Sequence, residues 1–354
     1  MLPGVIKTKA PAPPVLPLEL WRQLYGTAAR FQHLAPWRWM DDTHLFGVNN
    51  EHGVRFVSVL GGMGEVFGLA SHRGSTGIHV LFRLLNREVE PENPEMAFLQ
   101  DALVMDFVPA GELRPADRAI LRQLHFQPVA AGTKLFPQFY SHKPGYVPWH
   151  INEAEGRAVL DDLDKALLYA ELVRTDPERF STITRQKLPF LPPRTAAPLK
   201  AEEVEWQNVS AAPPPLDPPL DMLAAGAAAL LQLPRGAEDT WELESFHARM
   251  AIAESPRPYW AKVAMVVHSG TGMILDCKVG NLRQTMAEAA GQAWIGCIKK
   301  SGVRPKRVKV RSANLEQALQ PLALALKTRL ERVARLPELE MARRSLERDL
   351  PALP

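Results

Sequence analysis

The stretch "VSVLGGMGEVFGLA", from Val57 to Ala70, decides how the N-terminal half of this chain folds. Apolar runs rich in valine and leucine lie on both sides of a glycine-rich centre. Such a pattern allows two interpretations, a loop that closes over nucleotide phosphates or two strands joined by a tight turn. We predict the turn, in which the glycines occupy backbone positions with positive φ.

The centre of this stretch resembles the glycine loop of bacterial Ser/Thr kinases, but kinase chemistry requires more than the loop. It needs a lysine on the next strand, a catalytic-loop aspartate and a metal-binding aspartate. The sequence has no lysine between Lys9 and Lys134, and Val59 stands where the first loop glycine would be. A dinucleotide-binding loop is disfavoured because a strand pattern, and not a helix, follows Gly64. The sequence therefore argues against a nucleotide site here.

Length and composition are those of a globular protein. The chain has 354 residues, of which 46% are apolar and 23% charged, and its formal net charge is +3. This length accommodates two domains, and the small charge requires neither a nucleic-acid nor a membrane partner. We find no signal-peptide pattern and no apolar run approaching about 18 residues, so we expect a cytoplasmic protein. Cys277 and Cys297 lack zinc or disulfide spacing and are predicted to be free thiols.

Clusters of proline divide the chain. We predict a proline-rich tail over 1–17, an N-terminal domain over 18–183, a semi-rigid linker over 184–220 and a C-terminal domain over 221–354. Within the linker, "EVEWQNV" (203–209) is interpreted as one isolated edge strand. Each domain reads as a helix followed by the order βββαβαβα, which indicates an α/β (α+β) fold with mixed sheets and suggests duplicated units. Asn152 and Asn281 are predicted to cap long helices.

The order βββαβαβα also resembles the ribonuclease-H-like fold, whose enzymes hold two metal ions with acids from the first strand, first helix and fourth strand. Asp106, in "ALVMDFV", is an acid in the fourth strand of the N-terminal half, but the first strand has none. We therefore expect no active nuclease, no metal and no other cofactor. Asp106 and Glu65 are weak catalytic candidates, and their structural alternative is an ion-paired or exposed carboxylate.

The segment "KKSGVRPKRVKVRS", residues 299–312, is the most basic part of the chain. As a strand it places Arg307, Lys309 and Arg311 on one face, where they are candidates for phosphate binding. The alternative is a solvated face whose cations pair with acids such as Glu316 and Glu331.

Three tryptophans, Trp37, Trp39 and Trp241, are candidates for interface residues, with burial in a core as the alternative. His142 and His150 lie in a proline-rich loop without recognised zinc spacing, so we predict no metal site there.

Two segments resemble uncharacterised bacterial domains. Residues 36–77 carry the pattern LFGV…VSVLG…GE.FGL…RG..G, and the half beginning at "WELESFHARM" resembles a second such domain that accompanies the first. This resemblance implies a bacterial two-domain family without an assigned activity. Because no complete catalytic set is present, we expect a non-catalytic binding or regulatory module with a protein, peptide or small-ligand partner. The alternative is a nucleic-acid-binding protein that uses the basic stripe, with or without metal-dependent hydrolysis at Asp106.

Overall fold

The computed structural model describes residues 12–41, 43–62, 64, 66–86, 88, 98–126, 135–181, 187–193, 198–236 and 239–349. The chain divides into two compact units, one that ends at Pro214 and one that begins at Pro215. Each unit combines helices with a mixed sheet, which confirms the predicted α/β fold class. None of the described helices is long and apolar enough to cross a lipid bilayer.

The first unit is built on an eight-stranded sheet with the order β6-β5-β4-β3-β2-β1-β7-β8. Its strands are β1 (Phe46–Asn50), β2 (Gly53–Leu60), β3 (Gly68–Arg73), β4 (Ala102–Pro109), β5 (Leu135–His142), β6 (Trp149–His150), β7 (Lys187–Leu191) and β8 (Glu205–Asn208). Its helices are α1 (Leu18–Leu34), α2 (Gly74–Leu85), α3 (Pro115–Leu124), α4 (Glu153–Thr175) and α5 (Pro177–Phe180). Neighbouring strands are antiparallel except β1 and β7, which are parallel.

The glycine-rich stretch forms the predicted hairpin. Strands β2 and β3 are antiparallel, and Leu60 lies opposite Gly68 across the turn. Gly61 and Gly64 have φ values of 137° and 81°, a region that side-chain-bearing residues rarely adopt. The glycines therefore serve the turn, as predicted from the sequence.

Part of the segment 184–220 differs from the semi-rigid linker that its prolines predicted. Residues 187–191 form β7, a strand that the prolines did not predict. Residues 205–208 form the predicted edge strand, β8, which pairs with β7 and is not isolated, so that both strands extend the first sheet beyond β1. Leu188 and Phe190 are buried, and they pack with Phe56 in a second small core on the α2 face. Burial of these apolar side chains outweighs the local preference of proline against strands.

The second unit is built on a five-stranded sheet with the order β11-β10-β9-β12-β13. Its strands are β9 (Thr240–Ile252), β10 (Tyr259–His268), β11 (Ile274–Gly280), β12 (Arg307–Val310) and β13 (Arg329–Arg332). Its helices are α6 (Asp221–Ala227), α7 (Met286–Ser301), α8 (Ala313–Ala325) and α9 (Pro337–Asp349). Strand β12 is parallel to both of its neighbours, whereas β10 is antiparallel to both of its own.

Both units contain the predicted order of helices and strands, but the strands pair differently in the two sheets. In the first unit the fourth strand, β4, pairs with the third, β3. In the second unit the fourth strand, β12, pairs with the first, β9. The shared order is therefore not a shared strand topology, and the ribonuclease-H-like topology is not confirmed.

Two helix starts show how local sequence positions the elements. Asn152 caps α4 as predicted, and its side chain and that of Glu155 form a reciprocal capping box. Helix α7 starts later than predicted, because Thr285 and Glu288 form its capping box. Asn281 instead accepts hydrogen bonds within the preceding turn.

Candidate functional site

A groove of about 740 Å³ lies beside α3 in the first unit. Its apolar lining includes Leu113, Leu121, Phe126 and Phe136, which we call the groove floor. The two leucines are 5% and 6% exposed, whereas the two phenylalanines are half-buried. The leucines of the floor thus belong to the core, and the phenylalanines present accessible aromatic surface.

The end of α3 holds the groove floor in place. His125 adopts a left-handed conformation with φ of 50°, which ends the helix. The Phe126 N–H then donates to the Leu121 carbonyl at 3.1 Å, an arrangement typical of helix C-termini. The Phe126 ring also packs on Tyr25 of α1, with ring centroids 5.1 Å apart. The aromatic side of the floor is therefore preformed.

Three basic residues that line the groove are exposed, namely Arg118, Arg122 and His125, and we call them the groove rim. Arg118 donates from Nη2 to the Gly111 carbonyl at 2.9 Å, and Arg122 donates from Nε to the Arg118 carbonyl at 3.3 Å. Among the described residues, neither guanidinium has a carboxylate oxygen within 4.0 Å. Among the described residues that line the groove, none is acidic.

Asp106 lies on β4, between Gly68 of β3 and Gln138 of β5. Burial raises its pKa to about 6, although the nearby Arg114 guanidinium opposes the shift. Its Oδ1 is buried and has no hydrogen-bond partner in the described part of the chain. A carboxyl in this state is costly when ionised, so it is either a destabilising feature or a site residue.

A hydrogen-bonded chain runs beside Asp106. The Tyr140 hydroxyl donates to Gln138 Oε1, and Gln138 Nε2 donates to the Glu112 carbonyl at 3.2 Å. The Arg114 guanidinium lies 4.0 Å from the centre of the Tyr140 ring. Burial raises the pKa of Tyr140 to about 12, so this phenol is a proton donor and not a base. This hydrogen-bonded chain holds its side chains in position, but it does not place a nucleophile beside a general base.

Glu65 and the two histidines are the remaining candidates that the sequence offers. His142 ends β5 and His150 ends β6, so neither lies in the predicted loop. Glu65 lies outside the described residues. Burial, together with Arg114, lowers the pKa of His150 to about 4. In the described part of the chain, no group of three His, Cys, Asp or Glu side chains could hold a metal ion.

The predicted basic stripe lies on β12 with alternating orientation, since Val308 is buried and Arg307 is not. Its cations face acids on neighbouring strands. Arg307 lies 3.4 Å from Glu331 of β13, and Arg311 lies 2.6 Å from Glu244 of β9. The alternative stated from the sequence, a face whose cations pair with acids, describes these two arginines.

Lys309 differs from its two neighbours in the stripe. Its Nζ lies 3.4 Å from the Ser269 hydroxyl, and Ser269 in turn donates to Glu242 at 3.0 Å. Glu242 is 1% exposed and also accepts the Leu339 N–H in the first turn of α9. Glu242 thus occupies the positive end of that helix. Phosphate binding by Arg307, Lys309 and Arg311 stays a prediction.

The three tryptophans pack against apolar cores. Trp37 lies against the Phe67 ring at 5.2 Å between centroids, and Trp39 donates its indole N–H to the Ala170 carbonyl at 2.9 Å. Trp241 is 3% exposed within the core of the second unit. Their packing corresponds to the core alternative stated from the sequence.

Comparison with known families adds the context of this site. Residues 21–189 match the family model "Domain of unknown function (DUF7309)", and residues 227–347 match "Domain of unknown function (DUF6930)". The chain joins two domains of unknown function. These matches confirm the resemblance to an uncharacterised two-domain family. No curated protein and no solved structure matches the chain. The groove and Asp106 both lie within the first matched domain.

Sequence reasoning missed the groove. Helix α3 begins at Pro115, and Phe126 and Phe136 lie together beside it only in the folded unit. The spacing of Arg118 and Arg122 could have indicated the basic side of the groove. The two arginines lie on one face of the helix, and neither has an acid four residues away.

Proposed function

We propose that the first unit is a non-catalytic module that binds a peptide segment of a partner protein in the groove beside α3. The observation that carries this proposal is the groove floor, which presents apolar surface from Leu113, Leu121, Phe126 and Phe136. Accessible apolar surface of this kind is a frequent feature of interaction sites.

The placement of polar groups favours a peptide over a small metabolite. Small-molecule sites enclose a few convergent polar groups within an apolar pocket. In this groove the polar side chains are exposed at the rim, whereas the leucines and phenylalanines of the floor are buried or half-buried. An apolar centre with a polar border is the usual anatomy of a protein interface.

A displayed peptide library, selected on the immobilised full-length protein, tests this proposal. Peptides that bind should then be measured by fluorescence anisotropy against two variants. Ala110→Trp adds a large side chain to an exposed lining position and should block the groove without removing any core contact. Phe136→Ala removes aromatic surface from the floor, and we expect it to weaken binding about tenfold or more.

Leu324→Ala is the matched control, because Leu324 is 69% exposed on α8 of the second unit. This control should leave affinity unchanged, and thermal unfolding should show that all three variants are folded. If the selected peptides bind the Ala110→Trp protein as tightly as the unaltered protein, the groove is not their site and the proposal is wrong.

A further inference from the structure

The groove rim indicates the chemistry of the peptide, and this inference rests on the proposed function. We infer that the groove takes an acidic peptide in which apolar residues contact the floor and Asp or Glu side chains pair with Arg118 and Arg122. The charge of the rim, its available hydrogen-bond donors and the helix surface on which it lies carry the inference.

Arg118 and Arg122 retain most of their donor capacity. A guanidinium has five N–H donors in a planar fork, and each of these side chains makes one hydrogen bond to a backbone carbonyl. The nearest acid on the same helix, Asp117, is 2% exposed and is held by Arg114 at 2.9 Å. Within the part of the chain that the structure describes, the two outward guanidinium groups therefore have further N–H donors available for paired hydrogen bonds with carboxylates of a ligand.

Two other exposed helical arginines of this unit pair with an acid at helical spacing. Arg22 pairs with Glu19 on α1 at 3.1 Å, and Arg157 pairs with Glu153 on α4 at 2.7 Å. On α3, in contrast, Arg118 and Arg122 are each other's neighbours four residues apart. Like charges at this spacing destabilise a helix by a few tenths of a kcal/mol. An acidic ligand would remove this repulsion, which gives the rim a preference for carboxylates over neutral or basic peptides.

Charge at the border of an interface acts mainly on partner choice and association rate. We therefore expect the floor to supply most of the affinity and the rim to supply the selectivity. The two contributions are separable, since salt screens exposed charge pairs but leaves apolar contacts largely unaffected.

The test repeats the library selection with the double variant Arg118→Glu/Arg122→Glu. Peptides selected by the unaltered protein should be enriched in Asp and Glu beside apolar residues, and peptides selected by the double variant should lose this enrichment. The best acidic peptide should lose about tenfold in affinity on charge reversal. Its affinity for the unaltered protein should also fall between about 50 and about 300 mM salt.

Arg157→Glu serves as the matched control, because it reverses an exposed arginine on another helix of the same unit. It should change neither the peptide selection nor the affinity. Phe136→Ala should lower the affinity for the acidic peptide without altering the salt dependence of that affinity. This result would separate the contribution of the floor from that of the rim.

The outcomes distinguish the inference from the proposed function. One outcome overturns the inference but not the proposed function. In it, the Ala110→Trp protein fails to bind the selected peptides, yet these peptides are not enriched in Asp and Glu and bind the double variant as tightly as the unaltered protein. Absence of any groove-dependent peptide overturns both. Displacement of the peptide by a labelled oligonucleotide that binds more tightly would assign the rim to phosphate and overturn the inference.

Discussion

Arg55 and Asp162 form a buried ion pair that joins strand β2 to helix α4. Arg55 donates from Nε and Nη2 to the Asp162 carboxylate at 2.8 to 3.0 Å, and the two side chains are 1% and 0% exposed. Ser71 of β3 adds a hydrogen bond to Asp162 at 2.6 Å, and Asp161 accepts from Arg55 at 2.9 Å. The pair is thus fully hydrogen-bonded and fixes α4 on the sheet that carries the groove.

We expect removal of one partner to be far more harmful than removal of both. Arg55→Met leaves a buried carboxylate without its cation, and such changes cost about 3 to 5 kcal/mol of unfolding free energy. The double variant Arg55→Met/Asp162→Leu removes both charges and should recover part of this loss. Urea unfolding followed by tryptophan fluorescence measures both values.

The exposed pair of Arg22 and Glu19 is the control for this prediction. Its side chains are 60% and 66% exposed, so Arg22→Ala should change the unfolding free energy by less than about 1 kcal/mol. Equal losses in Arg55→Met and Arg22→Ala would show that the buried pair has no special role.

Gly68 marks a close approach of strands β3 and β4. A Cβ on Gly68 would lie 2.1 Å from the Met105 carbonyl oxygen and 2.9 Å from the Asp106 Cα. Since backbone must shift to admit a methyl group, we expect Gly68→Ala to destabilise the first unit by about 1 to 3 kcal/mol. Thermal unfolding checks this value.

Gly26→Ala is the control of opposite sign. Gly26 lies inside α1, and nothing stands within 4 Å of its added Cβ. Alanine is favoured over glycine within helices, so this change should stabilise by about 0.5 to 1 kcal/mol. A neutral Gly68→Ala would contradict the close packing at β3 and β4.

The buried carboxyl of Asp106 makes stability depend on pH. Burial raises its pKa from 3.8 to about 6 in the folded chain, so the folded state binds this proton more tightly than the unfolded state. The stabilising contribution is fully present below the unfolded pKa and is lost as pH rises through about 6. We expect Asp106→Asn to gain about 1 to 2 kcal/mol over the unaltered protein at about pH 7, and less at about pH 5.

Asp41→Asn provides a comparison of opposite sign. Burial raises the pKa of Asp41, but hydrogen bonds from Thr43 and the charge of His44 outweigh it and leave the pKa lowered. The ionised form therefore stabilises the fold above the unfolded pKa, and Asp41→Asn should lose stability at neutral pH. Parallel pH profiles for the two variants would contradict the assignment of Asp106.

The two cysteines should differ in reactivity. Burial raises the pKa of Cys297 to about 12, and this side chain is 1% exposed. Cys277 is half-buried, and burial also raises its pKa. Because the thiolate is the reactive species, we expect Cys297 to resist a thiol reagent until the second unit unfolds.

Cys277→Ser isolates the Cys297 thiol, and Cys297→Ser isolates the other. Labelling of the Cys277→Ser protein should be slow in buffer and fast in urea. Equal rates in the two solvents would show that Cys297 is accessible in the folded protein.

The candidate site shows where sequence reasoning reaches its limit. Pro115 in the first turn of helix α3 is typical of a helix start, yet the groove arises because Phe136, on β5, lies near a helix that precedes it by more than ten residues. The stripe on β12 was placed correctly on one face, but its pairing with Glu244 and Glu331 depends on which strands flank β12. Both outcomes depend on contacts that are distant along the chain.

The amino-acid sequence by itself determined the local elements. Positive φ at Gly61 and Gly64 made the hairpin, and Asn152 began α4. The strand and helix periods of the apolar residues set the order βββαβαβα, which the first unit contains with the short strand β6 added before α4. These features depend on neighbours within a few residues, where propensity and capping act. Only the tertiary structure decided that β4 pairs with β3 while β12 pairs with β9, and that part of a proline-rich segment completes the first sheet. Strand partners are chosen by which apolar faces can be buried together, and that depends on the whole folded unit.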